Sequence, residues 1–161
     1  MILWPAGLSL TIVWKVFGDP AIDYRLIVLG ALLPDLIDGP FGGARIAHTL
    51  LFSVGLLTLV MLVTRGHRQM RRRLLAVPIG TFVHLVLDGM WAREHGFWWP
   101  FLGGRLTGPL PALDHGAAVL VLEELAGAVA LVWWWRRFGL NDPARRSAFL
   151  RTGRLPRDVV G

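Results

Sequence analysis

Gly30-Ala-Leu-Leu-Pro-Asp-Leu-Ile-Asp38 sets two carboxylates, Asp35 and Asp38, beside Pro34 and Gly39 in an otherwise apolar run. An ionised carboxylate in such a place is costly unless a cation or a hydrogen-bonding group accompanies it. The rest of the chain must supply that partner. His48 lies ten residues after Asp38, and His84-Leu-Val-Leu-Asp88 places a histidine and an aspartate four residues apart in a segment long enough for a helix. At that spacing both side chains leave one face, a turn apart. Oxygen donors and imidazoles in this company suggest a metal centre.

Simpler structural roles compete for each residue. Pro-Asp and Asp-Gly are ordinary turn chemistry, and His84 can donate to its own helical neighbour. An intramembrane Asp, however, is by default functional. His48 gains meaning only by joining the others. Arg45, just before it, suits a substrate phosphate or carboxylate, or simply snorkels at a span boundary.

The chain has 161 residues, of which 54% are hydrophobic and 17% charged, and its mean hydropathy is positive. That composition predicts one all-α integral membrane protein rather than a soluble domain. Cysteine is absent, which excludes disulfides, thiolate nucleophiles and zinc-thiolate sites, so any metal must be held by nitrogen and oxygen. The net charge of +6 comes with arginines clustered in short segments beside apolar runs. Membrane orientation explains them better than nucleic-acid binding, and no nucleic-acid partner is expected.

Hydropathy predicts about four transmembrane helices and one short re-entrant or interfacial segment. The spans are read at 2–17, 46–63, 74–92 and 114–135. The first lacks a basic leader and a small-residue cleavage site, so it is expected to be retained. Gly18-Asp19-Pro20 breaks it. The run from Arg25 to Asp38 holds only about a dozen apolar residues, fewer than the roughly 17 needed to cross, and is read as the re-entrant segment. The arginine-rich loop from Arg65 to Arg73 and the basic tail fall on one side, which the positive-inside rule makes cytoplasmic. Both termini are expected there, with 1–138 forming the membrane-embedded domain and 139–161 a basic cytoplasmic tail. The ligands then gather at the outer face. Trp14, Trp91, Trp98 and Trp99 are expected at the outer boundary, and Trp4 with Trp133, Trp134 and Trp135 at the inner one.

Asp114 and His115 also fall on the outer side. Glu123 and Glu124 lie near mid-membrane, where at least one should face the bundle interior, although helical geometry does not choose between them. The glycines form no nucleotide-binding fingerprint.

Gly-Ala-Leu-Leu-Pro-Asp-Leu-Ile-Asp at 30–38, Ala-His-Thr-Leu-Leu-Phe at 47–52, His-Leu-Val-Leu-Asp-Gly-Met-Trp at 84–91 and Trp-Pro-Phe-Leu-Gly at 99–103 occur in that order. With them the chain resembles the prokaryotic membrane-bound metal-dependent hydrolases, the group known from an SOS-regulated inner-membrane representative. The resemblance implies Asp35, His48, His84 and Asp88 as metal-site residues, Asp38 in the same motif, and Glu124 as a further candidate.

Together these readings predict a membrane-embedded hydrolase at the outer face of the inner membrane, acting on a lipid phosphoester or related amphiphile. Asp35, Asp38, His48, His84 and Asp88 bind the metal, and Asp38 is either a ligand or the catalytic base. Mixed imidazole and carboxylate donors suit zinc, manganese or iron better than magnesium. The alternatives are a non-enzymatic membrane protein with a structural metal, and an ion or proton path through Asp88 and Glu123 or Glu124.

Overall fold

A computed structural model describes residues 1–92, 94–102, 106, 116–156 and 158, and every regular element among them is helical. The helices are α1 (Leu3–Phe17), α2 (Tyr24–Asp38), α3 (Leu50–Val63), α4 (Arg68–Leu74), α5 (Ala76–Leu87), α6 (Glu94–Phe97), α7 (Ala117–Arg137) and α8 (Pro143–Thr152). Three short 3-10 turns join them at Gly39–Phe41, Ile46–His48 and Met90–Ala92. α1 stops at Gly18, which takes φ 56° and returns its N–H to the Trp14 carbonyl. α3 begins at Thr49, whose hydroxyl oxygen accepts the Phe52 N–H.

Among the described residues, α1, α2, α3, α5 and α7 run the length of one bundle. α2 and α5 point the same way: Asp23 meets Arg73 at one end, and Asp35 lies near His84 at the other. α1 runs against them, since Met1 lies beside Asp35 while Trp14 packs on Tyr24 and Phe138. α7 runs with α1, from Glu124 beside Leu3 to Phe138 beside Trp14. The bundle therefore has a carboxylate-histidine end and a basic end.

Glycines bring the backbones together. A Cβ on Gly30 would strike the Val77 carbonyl, and one on Gly80 the Ile27 carbonyl, so α2 and α5 touch main chain to main chain. Gly7 and Gly127 do the same for α1 and α7. Small residues at helix crossings are how bundles pack where lipid supplies no hydrophobic drive. Next to the first crossing, Pro34 removes the N–H that would bond the Gly30 carbonyl. Thr81 Oγ1 lies 3.1 Å from that carbonyl and shares its single proton between it and the Val77 carbonyl, also at 3.1 Å, and α2 continues unbroken.

This corrects the expectation of a re-entrant segment. α2 enters at the basic end and leaves at the other, because its first turn includes Tyr24 and Arg25, and Thr81 makes good the bond lost at Pro34. The chain start lies at the carboxylate-histidine end, whereas Gly153 is bonded to Tyr24 at the basic end. Trp14 and Trp4 exchange ends with it, Trp14 joining Tyr24 and Phe138 while Trp4 sits in the first turn of α1 near Glu124.

The described residues after 138 pack back onto the bundle. Leu140 and Leu155 are buried in the same apolar cluster as Leu10, Val13, Ile27 and Trp134, with Phe149 packed against it. By length and composition, α7 is the one described helix long and apolar enough to span a bilayer of ordinary thickness. It leaves Val121, Leu122, Leu125 and Val129 exposed, a surface suited to lipid.

Candidate metal centre

Three segments bring the site together. α2 presents Asp35 and Asp38 in its last turn, the 3-10 turn before α3 presents His48, and the last turn of α5 presents His84 and Asp88. Gly89, at φ 63°, ends α5 immediately after Asp88. This left-handed turn, which favours glycine, fixes where Asp88 sits.

Asp35, His48, His84 and Asp88 each offer one ligand atom within 4.8 Å of the others. His84 Nε2 is 3.3 Å from Asp88 Oδ2 and 3.7 Å from Asp35 Oδ1, and His48 Nε2 is 3.5 Å from Asp35 Oδ1. A tetrahedral ion with ligands at roughly 2.0–2.1 Å has ligand-to-ligand edges of about 3.3–3.4 Å, so these spacings fit a shared ion. Burial fits as well. His48 and His84 are fully buried and Asp88 nearly so, yet His48 Nε2, both His84 ring nitrogens and Asp88 Oδ1 have no hydrogen-bond partner among the described residues. Each such group costs about 1–3 kcal/mol when left unsatisfied. Two neutral imidazoles and two carboxylates also carry the charge that balances one divalent cation.

Asp38 stands outside that quartet. Its Oδ2 lies 2.7 Å from His48 Nδ1 and also accepts the Arg45 backbone N–H at 2.8 Å. Because a carboxylate only accepts, Nδ1 carries the proton and Nε2 turns its lone pair toward Asp35 and His84. Asp35 and Asp38 thus approach opposite nitrogens of one ring. Expected as a ligand or base, Asp38 lies against His48 Nδ1, the position that a second partner takes when a histidine binds a metal through its other nitrogen. Asp38 is buried, at 1% exposure.

The remaining candidates separate. Arg45 contributes its main chain to Asp38, while its guanidinium lies 5.0 Å from the Phe41 ring centroid. Glu124 accepts the Ile2 and Leu3 N–H groups at 2.8 and 3.0 Å. It therefore caps the positive end of α1 rather than joining the quartet. Glu123 is half-buried and also outside it. Asp114 and His115 lie outside the described residues. Sequence reasoning missed the chain start: the Met1 amino nitrogen lies 3.6 Å from Asp35 Oδ2. The polar Glu124 in an apolar helix was the available signal.

No curated protein and no solved structure matches the chain. The sequence model of the YdjM inner membrane protein family matches residues 2–141, nearly the whole bundle, and the chain belongs to that family.

Proposed function

From that inner-membrane family membership, we propose that the protein is a membrane-embedded, metal-dependent hydrolase whose substrate is a lipid phosphoester or related amphiphile. The observation that carries the metal is the quartet of Asp35, His48, His84 and Asp88, with its buried, unpartnered nitrogens. These four residues would hold one divalent ion, zinc before manganese or iron. Such an ion supplies Lewis acidity and makes water a competent nucleophile near neutral pH. Asp38 holds His48 in the tautomer that binds metal, and Asp35, the most exposed of the four at 22%, faces the approach for substrate.

An apolar groove of about 530 Å³ between α1, α3 and α5 supports an amphiphilic substrate. Leu50 and Val86 line it, within two residues of His48 and Asp88 respectively.

The basic end is the cytoplasmic one, because Arg72, Arg73, Arg136 and Arg137 gather there. The metal centre and chain start then face outward. α1, α2, α3 and α5 have 12 to 15 residues each. At about 18–22 Å they are shorter than the hydrocarbon layer and cross it with local thinning. Because the chain lacks cysteine, single-cysteine labelling in intact cells tests this: Ile2→Cys should react with an impermeant reagent and Gln69→Cys should not. The reverse pattern overturns the orientation.

A second reading has a specific observation behind it. Four protein donors are the number that closes a tetrahedral structural site, so the ion would staple α2, α5 and the turn before α3. Metal analysis of purified protein, followed by hydrolysis assays on phospholipids and soluble phosphoesters, separates the readings. Metal-loaded protein with no activity above His84→Ala on any of them supports the staple. Protein that holds no divalent ion ends both.

A further inference from the structure

At the end opposite the metal centre, the start of α2, α4 and the exit of α8 enclose a cleft of about 460 Å³. Gln69, Arg72 and Arg73 line one wall, Arg151 and Arg154 the other, with Asp23 between them. We propose that this cleft is a binding site for a phosphate-bearing anion.

Charge is the first argument. Arg25, Arg72, Arg73, Arg151 and Arg154 stand in or beside the cleft, whereas the acidic groups recorded with them are Asp19 and Asp23. Among the described residues, five cations against two carboxylates leave an excess of three.

Pre-organisation is the second. Asp23 anchors Arg73 through Nε at 2.8 Å, a bond that does not engage the terminal nitrogens, and Asp19 anchors Arg72 through one terminal nitrogen, Nη2, at 2.7 Å. A guanidinium held this way presents its remaining donors in a planar fork, the geometry that suits phosphate oxygens.

The far wall is equally fixed. Tyr24 donates its N–H to the Gly153 carbonyl at 2.8 Å, Leu155 donates to the Pro20 carbonyl at 3.0 Å, and Arg25 donates to the Leu150 carbonyl at 2.6 Å. Gly153, at φ 71°, packs so tightly against Asp23 that a Cβ would collide with its carboxylate. Membrane orientation requires only that cations lie near one interface. It does not require two arginine walls facing each other, one held by Asp19 and Asp23 and the other carried on a backbone bonded to the start of α2. The second wall also lies beyond residues 2–141, so it belongs to the part of this chain outside the family match.

The phosphate has two possible sources, a lipid headgroup or a soluble phosphate, and one experiment distinguishes them. Full-length protein is placed in phosphatidylcholine nanodiscs and titrated with inorganic pyrophosphate at fixed ionic strength. In parallel, its thermal midpoint is compared between those discs and discs containing phosphatidylglycerol. Binding or stabilisation in at least one arm is expected, and the arm that responds names the source. In that arm the double variant Arg151→Gln/Arg154→Gln should weaken the response at least tenfold, whereas Arg68→Gln/Arg71→Gln, which removes the same charge outside the cleft, should change it less than threefold. Arg72→Gln repeats the test from the opposite wall should the first variant fail to fold. No response in either arm, or equal losses in the two double variants, overturns the proposal.

Discussion

Asp23, at the N-cap of α2, and Asp35, in its last turn, lie twelve residues and about 18 Å apart and meet opposite surroundings. Asp23 receives Arg25 Nε and Nη2 and Arg73 Nε at 2.8 to 3.1 Å, so its buried oxygens are satisfied by charged donors. Asp35 faces imidazole nitrogens at 3.5 and 3.7 Å, too long for good hydrogen bonds, in a cluster where His48 Nε2 and both His84 nitrogens lack partners among the described residues. The basic end is complete in protein alone. The other end has a donor set that a cation could share.

The largest break in that contrast should come from the metal. His84→Ala removes a ligand and should abolish stoichiometric divalent metal, measured by elemental analysis after purification. An ion at a hundred times its Kd adds about 2.7 kcal/mol to the folded state, or roughly 5–10 °C in Tm for a chain of this size. Chelator should therefore lower the wild-type Tm by that amount and leave His84→Ala unmoved. Equal chelator responses in the two proteins would show that His84 holds no ion.

Packing between the two ends should give the next effect. Gly30→Ala drives a methyl into the Val77 backbone, which cannot swing aside as a side chain would. Overpacking of this kind costs about 1–3 kcal/mol. Gly55 has open space around its Cβ position, so Gly55→Ala should be neutral or mildly stabilising. Thermal midpoints of the two variants in the same detergent test the pairing.

The helical class and the polarity of the bundle were legible because hydropathy and arginine clustering are local properties. Asp35, His48, His84 and Asp88 were legible because polar residues in an apolar run are conspicuous. The path of α2 was not, since counting apolar residues cannot reveal that a threonine 51 positions away would satisfy the carbonyl freed by Pro34. The roles of Asp38 and Glu124 were hidden in the same way. Spacing puts Asp38 near Asp35, but only the fold inserts the His48 ring between them, and Glu124 finds its donors 121 and 122 residues away.

Asp38 sharpens the comparison from inside the site. As an orienting residue it should set metal affinity without being indispensable. Asp38→Asn keeps the volume but weakens the hold on His48 Nδ1, and loss of such a partner lowers metal affinity about 10–100-fold. Competition titration with a chromogenic chelator should read a loss in that range, with full occupancy restored at higher metal. If occupancy cannot be restored, Asp38 is itself a ligand.

The smallest effect belongs to the basic end and appears as pH dependence. Burial pushes the Asp23 carboxyl up, but hydrogen bonds from Arg25 and Arg73 and their positive charges together outweigh it and hold the group below the ordinary 3.8. A depressed carboxyl stabilises the fold fully above the unfolded-state value, and that contribution fades as pH falls through the lower folded value. Asp23→Asn removes the charge without emptying the site. Its Tm deficit against wild type should therefore be constant at pH 5–7 and shrink below about pH 4, where protonation imposes the same loss on the wild type. Chelator should not alter that difference, because the metal lies at the far end of α2. A deficit that persists unchanged at pH 3 would mean that Asp23 acts through packing against Gly153, where the two residues touch, rather than through its charge.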